Sequence, residues 1–159
     1  METITVKYRA REMAWPEKQF LTKRARISFD KLTDFFSKNY SVLYKMIREN
    51  SLQANEAPCT IYYSVDEAKK EADLAAAIPV YGELKKTEGF EKVVIPASKA
   101  LYINYYGSCD DMKPAYDELE KYAREHGLKK KWMIEQYFFD PAVEKDSSKW
   151  RTDIYFVVE

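Results

Sequence analysis

The chain has 159 residues, the usual length of one domain, and its 26 lysines and arginines are balanced by 26 aspartates and glutamates. This zero net charge removes the whole-chain attraction that nucleic-acid-binding proteins normally use. No apolar run approaches the roughly 20 residues of a membrane helix, and the first ten residues lack the apolar core of a signal peptide, so we expect one cytoplasmic domain over 1–159 without direct nucleic-acid or membrane contacts.

The first half of the chain predicts strands, a long helix and further strands. Stretches in which apolar and polar residues alternate predict strands at 3–10, 18–27, 59–65 and 73–84. The turn Trp15-Pro16-Glu17 makes the first two strands a hairpin-like opening. Apolar residues three and four positions apart predict a helix over about 29–50, capped by Ser28. Pro79 inside the fourth strand favours a sheet edge or a bulge there.

The second half of the chain predicts the same kinds of element in a matching order. Its predicted strands are 90–95, 101–107, 131–139 and 150–158. A helix is predicted from Asp110 or Asp111 to about Glu125, and Gly127 ends it.

This recurrence indicates a duplicated module, with pseudo-repeats roughly 1–84 and 85–159. The segment YYSVD at 62–66 aligns with QYFFD at 136–140, each following a helix at a comparable distance. A duplication implies an α+β fold in which one curved antiparallel sheet carries two long helices on one face. The other face is then free to form a ligand cleft.

Cysteine and histidine usage gives no sign of a metal site. Cys59 and Cys109 have no metal-binding or redox spacing and indicate reduced thiols. The single histidine, His126, precedes Gly127 at the end of the second helix, where a capping role is favoured over catalysis. We therefore expect neither a metal nor a cofactor.

Aromatic residues make up 15% of the chain, and 13 of them are tyrosines, which suit a pocket wall as well as a sheet core. In the strand 101–107, alternation places Tyr102, Asn104 and Tyr106 on one face, where they would line a cleft. Tyr105 then faces the helices. Tyr116 and Tyr122 lie on the apolar stripe of the second helix and are interpreted as packing residues.

The stretch LYINYYGSCDDMKPAYDELEKYAREHGL, followed by KKKWMIEQYFFDP, resembles the bacterial GyrI-like family, the effector-binding half of AraC-type and MerR-type multidrug regulators. The resemblance is carried by Gly107 after an aromatic strand, the AYDEL segment at 115–119, Gly127, the run E-x-Y-x-x-D-P at 135–141, and IPV at 78–80. The chain departs from the family's usual Gly-Pro-Tyr at Gly107-Ser108-Cys109. The resemblance implies a cleft over two related sheet halves, a buried glutamate for cationic or polar ligands and, in some members, hydrolysis of strained ring compounds.

Glu135 stands out among the charged residues. Alternation along WMIEQYFF gives its carboxylate apolar and aromatic neighbours on either face. A buried, unpaired carboxylate needs hydrogen-bond donors, a counter-charge or a raised pKa. The residues alone leave open a solvent-facing glutamate or one paired with Arg24, Arg26 or Arg151, whereas the resemblance favours a functional, buried carboxylate.

The predicted ligand-binding residues are Glu135, Tyr137, Tyr102, Tyr106, Asn104, Tyr62, Tyr155 and Trp132. Two of these assignments stay open, because only one of Tyr62 and Tyr63 can face the pocket, and Trp132 can either stack on a planar ligand or seal a sheet end.

The pattern and the resemblance together predict a stand-alone protein that senses or sequesters amphipathic, drug-like compounds, cationic aromatic ones among them. One alternative is a hydrolase of strained electrophilic molecules with Glu135 as general acid or base. The other is a protein-interaction module, such as a topoisomerase inhibitor, with an unidentified protein partner.

Overall fold

The computed structural model describes residues 8–85 and 89–159, and within them one antiparallel sheet is the main element. Its strands are β1 (Arg11–Trp15), β2 (Lys18–Ser28), β3 (Cys59–Asp66), β4 (Glu71–Pro79), β5 (Glu91–Ile95), β6 (Ser98–Tyr106), β7 (Lys130–Tyr137) and β8 (Arg151–Val158). Helix α1 (Leu32–Glu49) connects β2 to β3, and helix α2 (Lys113–Glu125) connects β6 to β7. No described helix combines the length and apolar character needed to span a membrane.

Both helices form where the apolar spacing predicts them, and their ends differ in detail. Ser28 precedes a short 3-10 turn before α1 but makes no side-chain capping bond. Ser108, not Asp110 or Asp111, caps the turn before α2 by accepting from the Asp110 amide. Gly127 ends α2 as predicted, with φ of 63°, and the Leu128 amide donates to the Ala123 carbonyl at 2.9 Å. Glycine suits this left-handed position because it lacks a Cβ.

The strand order is β1-β6-β8-β7-β3-β4-β2-β5. Counted outward from the centre, the first half of the chain contributes β3, β4 and β2, and the second half contributes β7, β8 and β6. The outermost strands are exchanged, because β1 pairs with β6 and β5 pairs with β2. This order is the one that a duplicated module would give, and the duplication itself stays a prediction.

The predicted hairpin-like opening is wrong. Of the predicted strand 3–10, residues 3–7 lie outside the described residues and 8–10 are not a strand, whereas β1 begins at Arg11. A two-residue hairpin needs a turn that glycine or asparagine favours, and Pro16-Glu17 cannot supply it. The chain therefore passes from β1 into β2 without pairing the two strands.

The predicted strand 73–84 is also corrected, because β4 ends at Pro79. β4 is an interior strand between β3 and β2, so Pro79 marks neither an edge strand nor a bulge. The pairing of β4 with β3 already stops at Ala77, before the proline that has no amide hydrogen to donate.

Cross-strand pairs define one sheet face, here called the helix face. Residues that are direct partners on neighbouring strands point to the same face. From β2 to β6 the partners on the helix face are Leu21 and Ile78, Ala76 and Thr60, Thr60 and Glu135, Glu135 and Ile154, and Ile154 and Ile103. α1 packs on Leu21, Ala76 and Ile78 through Leu43, Met46 and Ile47. α2 packs on Ile103 and Ile154 through Ala115, Leu119 and Ala123.

The opposite face carries a second core, which neither α1 nor α2 covers. Trp15, at the end of β1, packs in one cluster with Phe20 of β2 and Ile95 of β5, although these strands lie toward opposite edges of the sheet. The sheet is therefore curved strongly enough to bring its two ends together. Trp15 is 3% exposed, and its Nε1 has no hydrogen-bond partner among the described residues.

We expect Trp15→Ala to lower the free energy of unfolding by about 3–5 kcal/mol, because it leaves a cavity where the sheet ends meet. Trp15→Phe should cost less than about 1.5 kcal/mol, since it keeps most of the apolar volume and removes a buried N–H that lacks a partner. Urea unfolding followed by far-UV circular dichroism measures both. Equal losses in the two variants would contradict the role given to the Trp15 packing.

Candidate functional site

The helix face carries a buried carboxylate at the junction of the two sheet halves. Glu135 lies on β7 and is 6% exposed. Its cross-strand partner on β3 is Thr60, and Tyr62 and Tyr137 lie two residues further along these strands, on the same face. Four tyrosine hydroxyls lie around this pair: Tyr62 and Tyr137 from the sheet, Tyr40 from α1 and Tyr116 from α2.

Three of these tyrosines donate hydrogen bonds to Glu135. The Tyr137 hydroxyl lies 2.7 Å from Oε1, and the Tyr62 hydroxyl lies 3.4 Å from the same oxygen. Tyr116 donates to Oε2. Among the described residues, no lysine, arginine or histidine forms an ion pair with this carboxylate. Neutral hydroxyls alone therefore compensate the buried charge.

The Glu135 carboxylate sets the direction of the hydrogen bonds around Thr60. Its Oγ1 lies 2.8 Å from the Tyr137 hydroxyl and 3.2 Å from the Tyr40 hydroxyl. A phenol has one proton and an ionised carboxylate only accepts, so the Tyr137 proton goes to Glu135 and Thr60 donates to the Tyr137 oxygen. Tyr40 donates its own proton to the Cys59 carbonyl. The network thus points three phenol protons at one carboxylate.

Burial raises the pKa of Glu135 above its ordinary value, although the hydrogen bonds from Tyr116, Tyr137 and Tyr62 work against this rise. Burial and the nearby carboxylate in turn hold the pKa of each of these three tyrosines well above its usual range. The phenols therefore stay protonated and remain donors. A positive charge brought to Glu135 would supply the compensation that the hydroxyls supply only in part.

The site is nearly symmetric about the boundary between β3 and β7. The sequences Thr60-Ile61-Tyr62 and Glu135-Gln136-Tyr137 occupy matching places, and Tyr40 and Tyr116 reach them from matching helices. The structure thus matches Tyr62 with Tyr137. The sequence alignment of 62–66 on 136–140 is shifted by one residue and matches Tyr62 with Gln136. Tyr62 and Gln136 lie on opposite faces of the sheet, so that alignment fails locally.

The predicted site residues do not form one set, which corrects the prediction of a single cleft on the face away from the helices. Glu135, Tyr137 and Tyr62 lie on the helix face, whereas Tyr63 packs on the core of the opposite face, so Tyr62 is the one of these two tyrosines that contacts Glu135. The remaining predicted residues, Tyr102, Asn104, Tyr106, Tyr155 and Trp132, lie on the opposite face. Side chains of a strand alternate between the two faces of the sheet. Ile103 is in register with Ile154 and Glu135 and shares their face, so its neighbour Asn104 points to the other face.

The opposite face carries a second buried carboxylate, which two of the predicted residues contact. Asp153 is 3% exposed and accepts hydrogen bonds from Asn104 at 2.8 Å and from Tyr155 at 3.2 Å. Arg151 binds it through two nitrogens, at 2.9 and 2.8 Å. Unlike Glu135, this carboxylate already has a cation, and Tyr106, the strand partner of Arg151, is 54% exposed.

The remaining aromatic predictions divide between packing and the site. Trp132 packs edge-on against Tyr63, with ring centres 6.0 Å apart, and belongs to the core of the opposite face. Tyr105 faces the helices, as predicted, and donates to the Ser108 carbonyl at 2.7 Å. Tyr116 and Tyr122 pack against the core beneath α2, as predicted, and the hydroxyl of Tyr116 in addition donates to Glu135.

Tyr40 and Thr60 are site residues that the sequence pattern did not single out. One signal in the sequence could have identified Thr60. It lies two residues before Tyr62, just as Glu135 lies two residues before Tyr137. Two surface depressions, one beside Glu12 and Lys99 and one beside Trp132, are not lined by Glu135. The described residues contain no group of three or more His, Cys, Asp or Glu side chains that could hold a metal ion.

In this α+β domain, tyrosines hold a buried carboxylate beneath two helices, on one curved antiparallel sheet. Residues 11–159 match the family model of the GyrI-like small molecule binding domain. The chain belongs to the GyrI-like family. No curated protein matches the chain.

Solved structures share this fold at low sequence identity. The EcmrR C-terminal domain superposes with a TM-score of 0.82 at 23% identity, over 96% of this chain and 98% of that one. The cryo-EM structure of the EcmrR–DNA complex gives a TM-score of 0.84 at 23% identity over 98% of this chain, which spans only 59% of the EcmrR chain. The structure of SAV2435 bound to tetraphenylphosphonium superposes with a TM-score of 0.66 at 12% identity, over 96% of this chain and 94% of that one.

The raised pKa of Glu135 predicts a pH dependence of stability. An acid with a raised folded pKa binds more protons in the folded chain than in the unfolded one, so stability falls as pH rises from the ordinary value of 4.5 through the folded pKa. Each pKa unit of elevation corresponds to about 1.4 kcal/mol. We therefore expect the free energy of unfolding of Glu135→Gln, relative to the unsubstituted chain, to rise with pH across this window.

Chemical denaturation at a series of pH values measures this difference. Glu125→Gln, at an exposed position of α2, is the matched control and should show no such trend. A flat difference for Glu135→Gln would mean that the Glu135 carboxyl is no harder to ionise in the folded chain than in the unfolded one.

Proposed function

We propose that the chain binds amphipathic, drug-like molecules that carry a positive charge on an aromatic framework, and that it senses or sequesters them. The observation that carries the proposal is the Glu135 carboxylate, which is buried and hydrogen-bonded to three tyrosines without a paired cation among the described residues. Such a carboxylate attracts a cation more strongly than an exposed one, because water does not screen it.

The tyrosines supply the second half of this recognition. Their ring faces attract organic cations and stack on aromatic groups, while their hydroxyls hold the carboxylate in place. Most small-molecule sites combine apolar walls with a few placed polar groups, and this cluster has that composition. SAV2435, which shares the fold, was solved with the lipophilic cation tetraphenylphosphonium, and that ligand is consistent with the proposed class.

The proposed ligand approaches Glu135 from the helix face, between α1 and α2. Tyr40 of α1 and Tyr116 of α2 are the helix residues in the network, so they stand between the carboxylate and the outside. Since Glu135 is 6% exposed, a bulky ligand reaches it only after these side chains or their helices shift. The opposite face is the weaker candidate, because Arg151 already neutralises its buried carboxylate.

We expect Glu135→Gln to weaken binding of tetraphenylphosphonium about tenfold to a hundredfold, the range for a lost charge-assisted interaction. Affinity for a neutral aromatic dye such as Nile red should change less than threefold, because the shape of the side chain is kept. Isothermal titration calorimetry for the cation and fluorescence titration for the dye measure the two effects.

The matched control is Asp153→Asn, which removes the other buried carboxylate while circular dichroism checks the fold. It should leave cation affinity unchanged, and a loss there with none in Glu135→Gln would move the site to the opposite face. Mass spectrometry of a strained-ring electrophile tests the hydrolase alternative. Turnover that Glu135→Gln abolishes while ligand affinity is kept would favour that alternative over binding alone.

A further inference from the structure

We propose that Thr60 determines the charge of the ligand, restricting the site to molecules with a single positive charge. The inference rests on the proposed function, because it names which cations the Glu135 site accepts. It follows from the position of Thr60, which occupies the place in the first half of the sheet that Glu135 occupies in the second.

The two positions face each other across the centre of the sheet. Thr60 and Glu135 are direct cross-strand partners on neighbouring β3 and β7, and both point to the helix face. Thr60 is followed two residues later by Tyr62, and Glu135 by Tyr137. One helix tyrosine contacts each position, Tyr40 at Thr60 and Tyr116 at Glu135. The hydroxyl shell is therefore nearly symmetric, whereas the charge is on one side only.

Thr60 is built into the network as fully as Glu135. It is 0% exposed, and its hydroxyl contacts both Tyr137 and Tyr40. A second carboxylate at this position would lie within reach of the Tyr40 and Tyr137 hydroxyls, whose protons now go to the Cys59 carbonyl and to Glu135. The threonine keeps that place neutral, so the network carries one negative charge at most.

A single charge has a direct consequence for selectivity. A dication brought into the site would place its second charge among buried groups with no partner, and a buried unpaired charge is strongly unfavourable. A monocation of the same shape meets no such penalty. The site should therefore prefer one charge to two even when the ligands match in size and aromatic character.

The test uses two rigid biaryl cations of nearly identical shape. N-methyl-4-phenylpyridinium carries one permanent charge, and 1,1′-dimethyl-4,4′-bipyridinium carries two. Competition with tetraphenylphosphonium, followed by calorimetry, gives both affinities. The unsubstituted chain should bind the monocation at least tenfold more tightly than the dication, and equal affinities would overturn the inference.

Thr60→Asp supplies the second carboxylate. Two buried carboxylates this close share a proton until a dication replaces it, so the preference for the monocation, measured as the ratio of the two affinities, should fall at least tenfold. Thr60→Asn is the uncharged control of the same shape and should keep the original preference. An unchanged ratio in Thr60→Asp, or an equal change in Thr60→Asn, would refute the role of charge at position 60.

The exchange variant Thr60→Glu with Glu135→Thr covers the case in which Thr60→Asp does not fold. It keeps one carboxylate and moves it across the centre of the sheet, so it should restore the monocation binding that Glu135→Thr alone loses. Failure of a folded exchange variant to restore binding would reject the equivalence of the two positions. If Glu135→Gln leaves tetraphenylphosphonium binding intact, the proposed function itself fails, and this inference fails with it.

Discussion

The burial of one carboxylate without a paired cation is the constraint on which the organisation of the helix face depends. Moving such a group out of water costs several kcal/mol unless strong hydrogen-bond donors replace the solvent. Glu135 meets this requirement with three phenols that come from β3, β7 and α2. The elements that supply these phenols must therefore all meet at the junction of β3 and β7, which makes the network a constraint on the fold.

The rest of the sheet provides the rigidity that this arrangement needs. β4 is buried on both faces, with Ala76 beneath α1 and Ala75 and Ala77 in the core of the opposite face. Small side chains on the interior strand allow close packing from both directions. The exchanged strands β1 and β5 join the two halves at both ends, so neither half is complete without a strand from the other.

Elements governed by local periodicity are predictable from the sequence, whereas relations between distant strands are not. The strand β2, the helix α1 and the termination of α2 at Gly127 follow from alternation, apolar spacing and a left-handed glycine. Which face Glu135 shares with Tyr62, or that β1 pairs with β6, depends on registers between strands far apart in the chain. A one-residue difference in such a register moves a side chain to the other face. That sensitivity is why Tyr102 and Asn104 were grouped with Glu135 although each strand was recognised correctly.

The same energetics connect stability to binding. A carboxylate with a raised pKa lowers the stability of the folded chain above that pKa, and a cation that binds there offsets the cost directly. Under the proposed function, part of the affinity for a cation therefore comes from relief of an unfavourable buried charge and not from new contact area. A neutral aromatic ligand can use the tyrosine rings but gains none of this relief. Under the proposed function, selectivity for a cation over a neutral ligand follows from what burial does to Glu135, and the surrounding tyrosines set the shape that a ligand must have.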